Sequence, residues 1–170
     1  MCIRDRSLVY HQIAPVFDRH SRVLILGSIP SPKSREFGFY YGHPQNRFWP
    51  LLSFLLKEAL PHTNDEKKGL LLRNHIALWD VLASCDIKGA DDNSIGEPVP
   101  NDIAWLLKQC PVTGIFTTGK KATELYQKLC YPHTGVESIY LPSTSPANRG
   151  RYPMERLASD WKILLKYLNR

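Results

Sequence analysis

The chain has 170 residues, of which 43% are hydrophobic and 22% charged, with a formal net charge of +6. These values are typical of one globular domain and exclude a collagen-like, coiled-coil or disordered chain. No apolar run approaches the ~20 residues of a membrane-spanning helix, and no segment has the pattern of a signal peptide. We expect a single domain over residues 7–170, preceded by a non-native or disordered leader at residues 1–6.

The charges are unevenly distributed along the chain. Residues 86–102 carry five acidic side chains against Lys88 alone, whereas residues 118–170 carry nine Lys or Arg against four acidic side chains. A basic surface with one acidic insert favours a polyanionic partner such as nucleic acid. Many basic proteins bind no nucleic acid, so the charge alone leaves both readings open.

The four cysteines are Cys2, Cys85, Cys110 and Cys130. None forms a Cys-x-x-Cys pair, and their separations match neither a zinc site nor an iron–sulfur cluster. We therefore expect buried free thiols in a reduced protein that has no metal and no cofactor.

Strand and helix patterns alternate along the chain. In chain order they are a strand at 23–26, a helix at 49–60, a strand at 76–82, a helix at 103–107, a strand at 112–116, a helix at 120–129, a strand at 138–141 and a last helix after Pro153. The strands are continuous apolar runs, as in a sheet buried on both faces. The alternation predicts an α/β fold, a three-layer α/β/α sandwich around a four-stranded parallel sheet.

Ligands of such sheets bind at the carboxyl ends of the strands, which selects the loops at 27–48, 80–100, 117–121 and 142–151. The first loop is long, has no predicted secondary structure, and concentrates prolines, hydroxyls, aromatic rings and amides. Such a loop is usually functional, although Phe39 and Trp49 are expected to fill core. The fourth loop has hydroxyls, prolines and two arginines, and its alternative interpretation is a polar turn before a capped helix.

Together the two loops resemble the uracil-DNA glycosylase superfamily, and most of all its hypoxanthine-DNA (deoxyinosine) glycosylase branch. That branch has a Gly-Ser opening, a Tyr-Tyr-x-His-Pro-x-Asn-x-Phe-Trp segment, a Leu-Trp-Asp-Val-Leu strand end and a Ser-Thr-Ser-Pro-Ala-Asn loop. The corresponding segments here are 27–28, 40–49, 78–82 and 143–148. The resemblance covers nearly the whole chain after about residue 15.

The resemblance implies a DNA glycosylase that hydrolyses the N-glycosidic bond of a flipped-out deaminated nucleotide, in base excision repair. Hypoxanthine is the expected base and uracil the alternative. The implied partners are double- and single-stranded DNA containing such a base. The protein is expected to be a monomer in the prokaryotic cytoplasm. Where uracil-removing relatives carry a water-activating Asp or Asn after the first strand, this chain has Ser28, and a serine is a poor base.

The site residues fall into three groups. Asn46, Ser28 and Asp80 are assigned to catalysis. The residues assigned to the base pocket are Tyr41, His43, Phe48 and Ser145. The residues assigned to DNA binding are Ser31, Lys120, Lys121, Ser143, Asn148, Arg149 and Arg151.

Several roles stay open from the sequence alone. Asn46 can orient water through its carbonyl oxygen or donate to the base through its amide. Asp80 can orient water or cap the following turn, and His43 can stabilise the leaving base or make a structural hydrogen bond. At the level of the protein, the alternatives are a non-catalytic nucleic-acid-binding module and a mismatch-specific uracil-DNA glycosylase. Lys120, beside the third strand, leaves Schiff-base lyase chemistry as a further alternative.

Overall fold

The computed structural model describes residues 6–11, 13–89 and 91–170, and a parallel sheet lies at its centre. The strands are β2 (Val23–Gly27), β3 (Ile76–Asp80), β6 (Gly114–Thr118) and β7 (Ser138–Leu141), in the order β3-β2-β6-β7. Every neighbouring pair is parallel, so the four carboxyl ends share one edge. This confirms the α/β fold and the four-stranded parallel sheet.

A second sheet, which the sequence analysis does not predict, is antiparallel. It consists of β1 (Arg6–Tyr10), β4 (Leu82–Lys88) and β5 (Gly96–Pro100), in the order β1-β4-β5. The predicted strand at 76–82 therefore breaks at Val81, whose N–H donates to the carbonyl oxygen of Gly27 at 2.8 Å. Arg6 is the first residue of β1, and residues 1–5, the rest of the segment expected to be a leader, lie outside the described residues.

The helices are α1 (Pro32–Phe37), α2 (Phe48–Leu56), α3 (Asn64–Arg73), α4 (Ile103–Leu107), α5 (Lys120–Leu129), α6 (Tyr131–Thr134), α7 (Met154–Trp161) and α8 (Ile163–Tyr167). The predicted helix at 49–60 ends early because Lys57 adopts a left-handed backbone conformation with φ of 57°. In the described residues, no helix is long and apolar enough to cross a bilayer.

The first loop is partly helical, which corrects the expectation of a loop without secondary structure. Helix α1 begins after Ser31, whose hydroxyl accepts from the N–H of Ser34 at 3.2 Å, with Pro32 in the first turn. A hydroxyl cap followed by proline is a recognised start signal for a helix.

The side chains of β2 alternate between two cores and so define the layers. Val23 and Ile25 pack into the core beneath α2, α3, α7 and α8, together with Phe39 and Trp49 as expected. Leu24 and Leu26 pack into the opposite core, beneath α4, α5 and the antiparallel sheet. Cys85, Cys110 and Cys130 lie in this second core as buried free thiols, and Cys2 is outside the described residues.

Candidate active site

A pocket of about 310 Å³ opens at the carboxyl edge of the parallel sheet. This volume is at the lower end of the range usual for small-molecule sites. All four loops selected from the sequence contribute to its wall. Side chains that line it include those of Ser28, Tyr41, Asn46, Asp80, Asp92 and Ser145.

Asn46 connects the first and fourth loops. Its carbonyl oxygen accepts from the N–H of Phe48 at 2.9 Å and from the hydroxyl of Thr144 at 2.7 Å. Because a backbone N–H can only donate, the amide orientation is fixed, and Nδ2 is left without a hydrogen-bond partner among the described residues. Asn46 thus offers two N–H donors to the pocket, while its carbonyl oxygen is already engaged.

Tyr41 forms an aromatic wall of the pocket, and Phe48 supports it from behind. The two rings are stacked, with centroids 3.9 Å apart and planes 7° from parallel. Phe48 is fully buried and is not part of the pocket lining, so a base would meet the face of Tyr41 instead. The Tyr41 hydroxyl lies 3.3 Å from the Thr118 hydroxyl, and burial together with the Asp80 charge raises the pKa of Tyr41.

Asp80 ends β3 and is almost fully buried, 4% exposed, with part of its carboxylate facing the pocket. Its Oδ2 lies 2.9 Å from Nε2 of His11, which follows β1. At this distance an imidazole N–H can donate to a carboxylate oxygen. The contact to His11 replaces the turn-capping role that the sequence left open.

Gly27 is the register neighbour of Asp80 and leaves room for its carboxylate. A Cβ at this position would lie 2.5 Å from Asp80 Oδ1 and 3.3 Å from the Tyr41 hydroxyl. Both distances are shorter than ordinary contacts, so a side chain here would displace one of the two groups. The close approach explains a glycine at the end of β2.

Ser28 is 8% exposed and its hydroxyl donates to Oδ1 of Asp92 at 3.0 Å. Asp92 comes from the acidic insert and reaches the pocket from the segment between β4 and β5. Although the residue as a whole is exposed, burial of its carboxyl group raises its pKa. A serine that donates to a carboxyl group is occupied and does not serve as a base.

The remaining polar side chains of the lining are held by local hydrogen bonds. Nδ1 of His43 accepts from the N–H of Gln45 at 3.0 Å, so Nε2 is available to a ligand. Ser145 caps the short turn Pro146–Asn148 and Ser143 accepts from the N–H of Ser145. Ser31, which caps α1, also lines the pocket.

The predicted DNA-binding residues outside the pocket lie on the surrounding surface. Arg149 and Arg151 are exposed, and Arg149 donates to the carbonyl oxygen of Gln45 at 3.2 Å. Lys120 and Lys121 open α5, directly after the end of β6, and neither lines the pocket. The side chain of Asn148 is turned inward, because its amide donates to the carbonyl oxygen of Ser143 at 2.9 Å.

Arg47 joins the same two loops from beneath. It is 7% exposed, its N–H donates to the carbonyl oxygen of Thr144 at 3.2 Å, and Nη1 donates to the carbonyl oxygen of Tyr152. Burial and the nearby Arg149 charge lower the pKa of its guanidinium. The two loops are therefore fixed to each other at both Asn46 and Arg47.

Sequence reasoning missed three of these groups: His11, Asp92 and Arg47. His11 has no motif around it, and its partner Asp80 is 69 positions away. Asp92 had a signal, the acidic insert, but clustered charge is usually a solvated surface. In the described part of the chain, no group of three His, Cys, Asp or Glu side chains is arranged to hold a metal ion.

The parallel sheet and the two loops at its carboxyl edge agree with the family that the sequence matches. The sequence matches the family model of the uracil DNA glycosylase superfamily over residues 14–169, so the chain belongs to that superfamily.

Two curated relatives are named hypoxanthine DNA glycosylase. The protein from Methanosarcina acetivorans is 37% identical over 154 residues, which covers 89% of this chain and 95% of the relative. The protein from Methanosarcina barkeri is 36% identical over 137 residues, 79% and 85% of the respective chains. The solution NMR structure of a candidate uracil DNA glycosylase from Methanosarcina acetivorans superposes with a TM-score of 0.81 at 33% identity, covering 96% of this chain and all of that one.

Proposed function

We propose that the protein is a monofunctional DNA glycosylase that excises hypoxanthine from DNA by hydrolysis of the N-glycosidic bond. The observation that carries the proposal is the pocket in which Asn46 of the first loop is hydrogen-bonded to Thr144 of the fourth. Two relatives that align with most of the chain and bear the name of this activity support it.

The base enters the pocket as an extruded nucleotide, because the bond to be broken is inaccessible in a stacked duplex. Tyr41 stacks on the flipped base, with Phe48 holding its ring in place. The free N–H groups of Asn46 donate to the carbonyl oxygen of the base. Nε2 of His43, when it carries a proton, is a further donor to the charge that develops on the departing base.

Asp80 accepts a proton from the attacking water. Its carboxylate is the buried acceptor of the pocket, and the contact with His11 holds one of its oxygens in a fixed orientation. A positioned general base of this kind typically contributes a factor of ~10²–10⁴ to the rate. Ser28 does not compete for this role, since its hydroxyl donates to Asp92.

Ser31 and Ser143 at the pocket rim, with Lys120, Lys121, Arg149 and Arg151 around it, hold the phosphates of double- or single-stranded DNA. Contacts of this type position the strand without reading its sequence. Lys120 lies outside the pocket lining, which favours water over an amine as the nucleophile. We further propose that the protein acts as a monomer in the prokaryotic cytoplasm, where its DNA substrate lies.

The test is incubation with a duplex that contains one deoxyinosine, followed by alkali, which breaks the strand at an abasic site. Strand breakage by the unmodified protein, and breakage at least about a hundredfold slower with Asn46→Ala, supports the proposal. An unmodified duplex is the substrate control. Retardation of the duplex without breakage would make the protein a binding module instead.

Uracil is the second candidate base, because the solved neighbour is described as a candidate uracil DNA glycosylase. The same assay with single uracil, hypoxanthine and xanthine lesions ranks the bases. We expect the fastest single-turnover rate on hypoxanthine.

A further inference from the structure

Asp92 is presented to the pocket by an ordered turn. The turn Asp92–Ser94 is capped by Asp91, whose carboxylate accepts from the N–H of Asn93 at 3.0 Å. The hydroxyl of Ser94 accepts from the N–H of Lys88 at 2.8 Å and so ties the turn to the end of β4. Asp92 is thus supplied by the acidic insert, and its carboxyl group meets Ser28 of the first loop at the pocket wall.

The contacts of Asp92 leave one carboxyl oxygen available. Ser28 donates to Oδ1 at 3.0 Å, and Oδ2 has no hydrogen-bond partner among the described residues. A protonated carboxyl group offers one O–H donor while it still accepts at the other oxygen. The Ser28 contact therefore fixes the orientation of the carboxyl group and leaves Oδ2 to carry a proton toward a ligand.

The charges around Asp92 come from several elements. Burial of the carboxyl group raises its pKa, the hydrogen bond from Ser28 opposes that rise, and the charges of Asp80 and Asp91 add to it. Lys121 at the start of α5 lowers the pKa. Arg35 of α1 and His43 of the first loop also line the same pocket.

We propose that Asp92 is the general acid of the reaction, which donates its proton to the departing purine. This inference rests on the proposed glycosylase function. As the bond between the anomeric carbon and the base breaks, its electron pair goes to the base. A ring nitrogen of the base takes the proton of Asp92, water bonds to the anomeric carbon, and Asp80 takes the proton that the water loses. The products are a neutral base and an abasic sugar, and solvent returns the two protons to their starting positions.

The two carboxyl groups have the different surroundings that such a division of roles requires. Asp80 is held at one oxygen by Nε2 of His11, at 2.9 Å. Among the described residues, Asp92 receives a hydrogen bond from a neutral hydroxyl, and the charges of Asp80 and Asp91 raise its pKa while that of Lys121 lowers it. Paired carboxyl groups that serve as acid and base are commonly separated by their environments in this way.

The test is the pH profile of single-turnover excision from a deoxyinosine duplex at saturating protein. With an acid that must be protonated, the rate of the unmodified protein falls as the pH rises through the pKa of Asp92. Asp92→Asn keeps an acceptor for Ser28 but has no acidic proton. We expect this variant to lose about a hundredfold in rate at low pH, and to lose the pH-dependent fall itself.

Two variants that retain Asp92 shift the fall in opposite directions. Asp91→Asn keeps the cap of the turn and removes a charge that raises the pKa of Asp92, so the fall moves to lower pH. Lys121→Met removes a charge that lowers that pKa, so the fall moves to higher pH. These variants test the proposal even if Asp92→Asn does not fold.

If the unmodified protein excises the base, an unchanged pH profile in Asp92→Asn would overturn the acid role and leave the proposed function intact. The failure of either charge variant to shift the profile in its expected direction would do the same. No excision by the unmodified protein at any pH would overturn the proposed function, and the acid role with it. Opposite shifts in the two charge variants support the acid role.

Discussion

His11 Nε2 lies 2.9 Å from Asp80 Oδ2, and the two side chains are only 3% and 5% exposed. The pair joins the antiparallel sheet to the carboxyl end of β3, because His11 follows β1 directly. The backbone N–H of His11 also donates, at 2.6 Å, to the carbonyl oxygen of Ala83 in β4. The small sheet therefore has a direct contact with the pocket: it positions the imidazole that orients the carboxylate.

His11→Ala is expected to lower single-turnover excision by about tenfold to a hundredfold, because a misplaced general base loses alignment with the water. The loss should appear in kcat with little change in KM. The conservative variant is His11→Gln, because the amide nitrogen of its longer side chain can take the position of Nε2 and donate to Asp80. Recovery of most of the rate in His11→Gln would identify the donor as the relevant feature. Equal losses in both variants would indicate a packing role instead.

Strands β2, β3 and β6 were predictable because a strand buried on both faces is a continuous apolar run, as at Val23–Gly27. Strand β7 is only partly buried and was predictable from its short apolar run before Pro142. The antiparallel sheet was not. Strand β4 follows β3 after Val81 alone, with no glycine or proline to mark the break, so the two strands read as one. Strand β1 lies next to residues that fit no periodic pattern.

The pocket was predictable to the extent that its residues lie in the two loops. Tyr41, Asn46 and Ser145 line it, as does Asp80 at the strand end. The hydrogen-bond partner of each residue was not predictable, because bonds such as that between Asn46 and Thr144 join positions 98 apart in the sequence. Such contacts depend on the register of the sheet, which a single sequence does not specify.

Gly27→Ala is expected to lower excision by about a hundredfold, because the new Cβ would lie 2.5 Å from Asp80 Oδ1 and move the carboxylate. The measurement is the single-turnover rate together with the thermal midpoint. Gly69→Ala is the matched control, since its Cβ would meet only the flexible end of Arg73, at 2.9 Å, in the middle of α3. We expect normal excision from that control. A normal rate in Gly27→Ala would mean that Asp80 is not the general base.

Arg149→Ala is expected to weaken DNA binding without changing which base is removed, because phosphate contacts position the strand rather than specify its sequence. The slope of log affinity against log salt should fall by about one unit. Arg22→Ala is the control: Arg22 is exposed but precedes β2, at the opposite edge of the sheet from the pocket. An unchanged slope in Arg149→Ala would place this side chain away from DNA.

Asn46→Ala is expected to lower single-turnover excision by at least about a hundredfold, roughly 2.7 kcal/mol of transition-state stabilisation, with little change in DNA affinity. Ser28→Ala should cost clearly less, since it removes only the hydroxyl that orients Asp92. The oxygen of Asn46 holds the loops at Phe48 and Thr144, and in the proposed function its amide donates to the base, so alanine alone does not separate the two tasks.

Asn46→Asp separates the two tasks. An ionised carboxylate still accepts from the N–H of Phe48 and the hydroxyl of Thr144, so both loops keep their positions, but it has no N–H to donate. If the amide donates to the base, Asn46→Asp should be about as slow as Asn46→Ala while its thermal midpoint stays near that of the unmodified protein. A normal rate in Asn46→Asp would mean that the oxygen alone matters, and the base would then take its hydrogen bonds from other donors of the pocket.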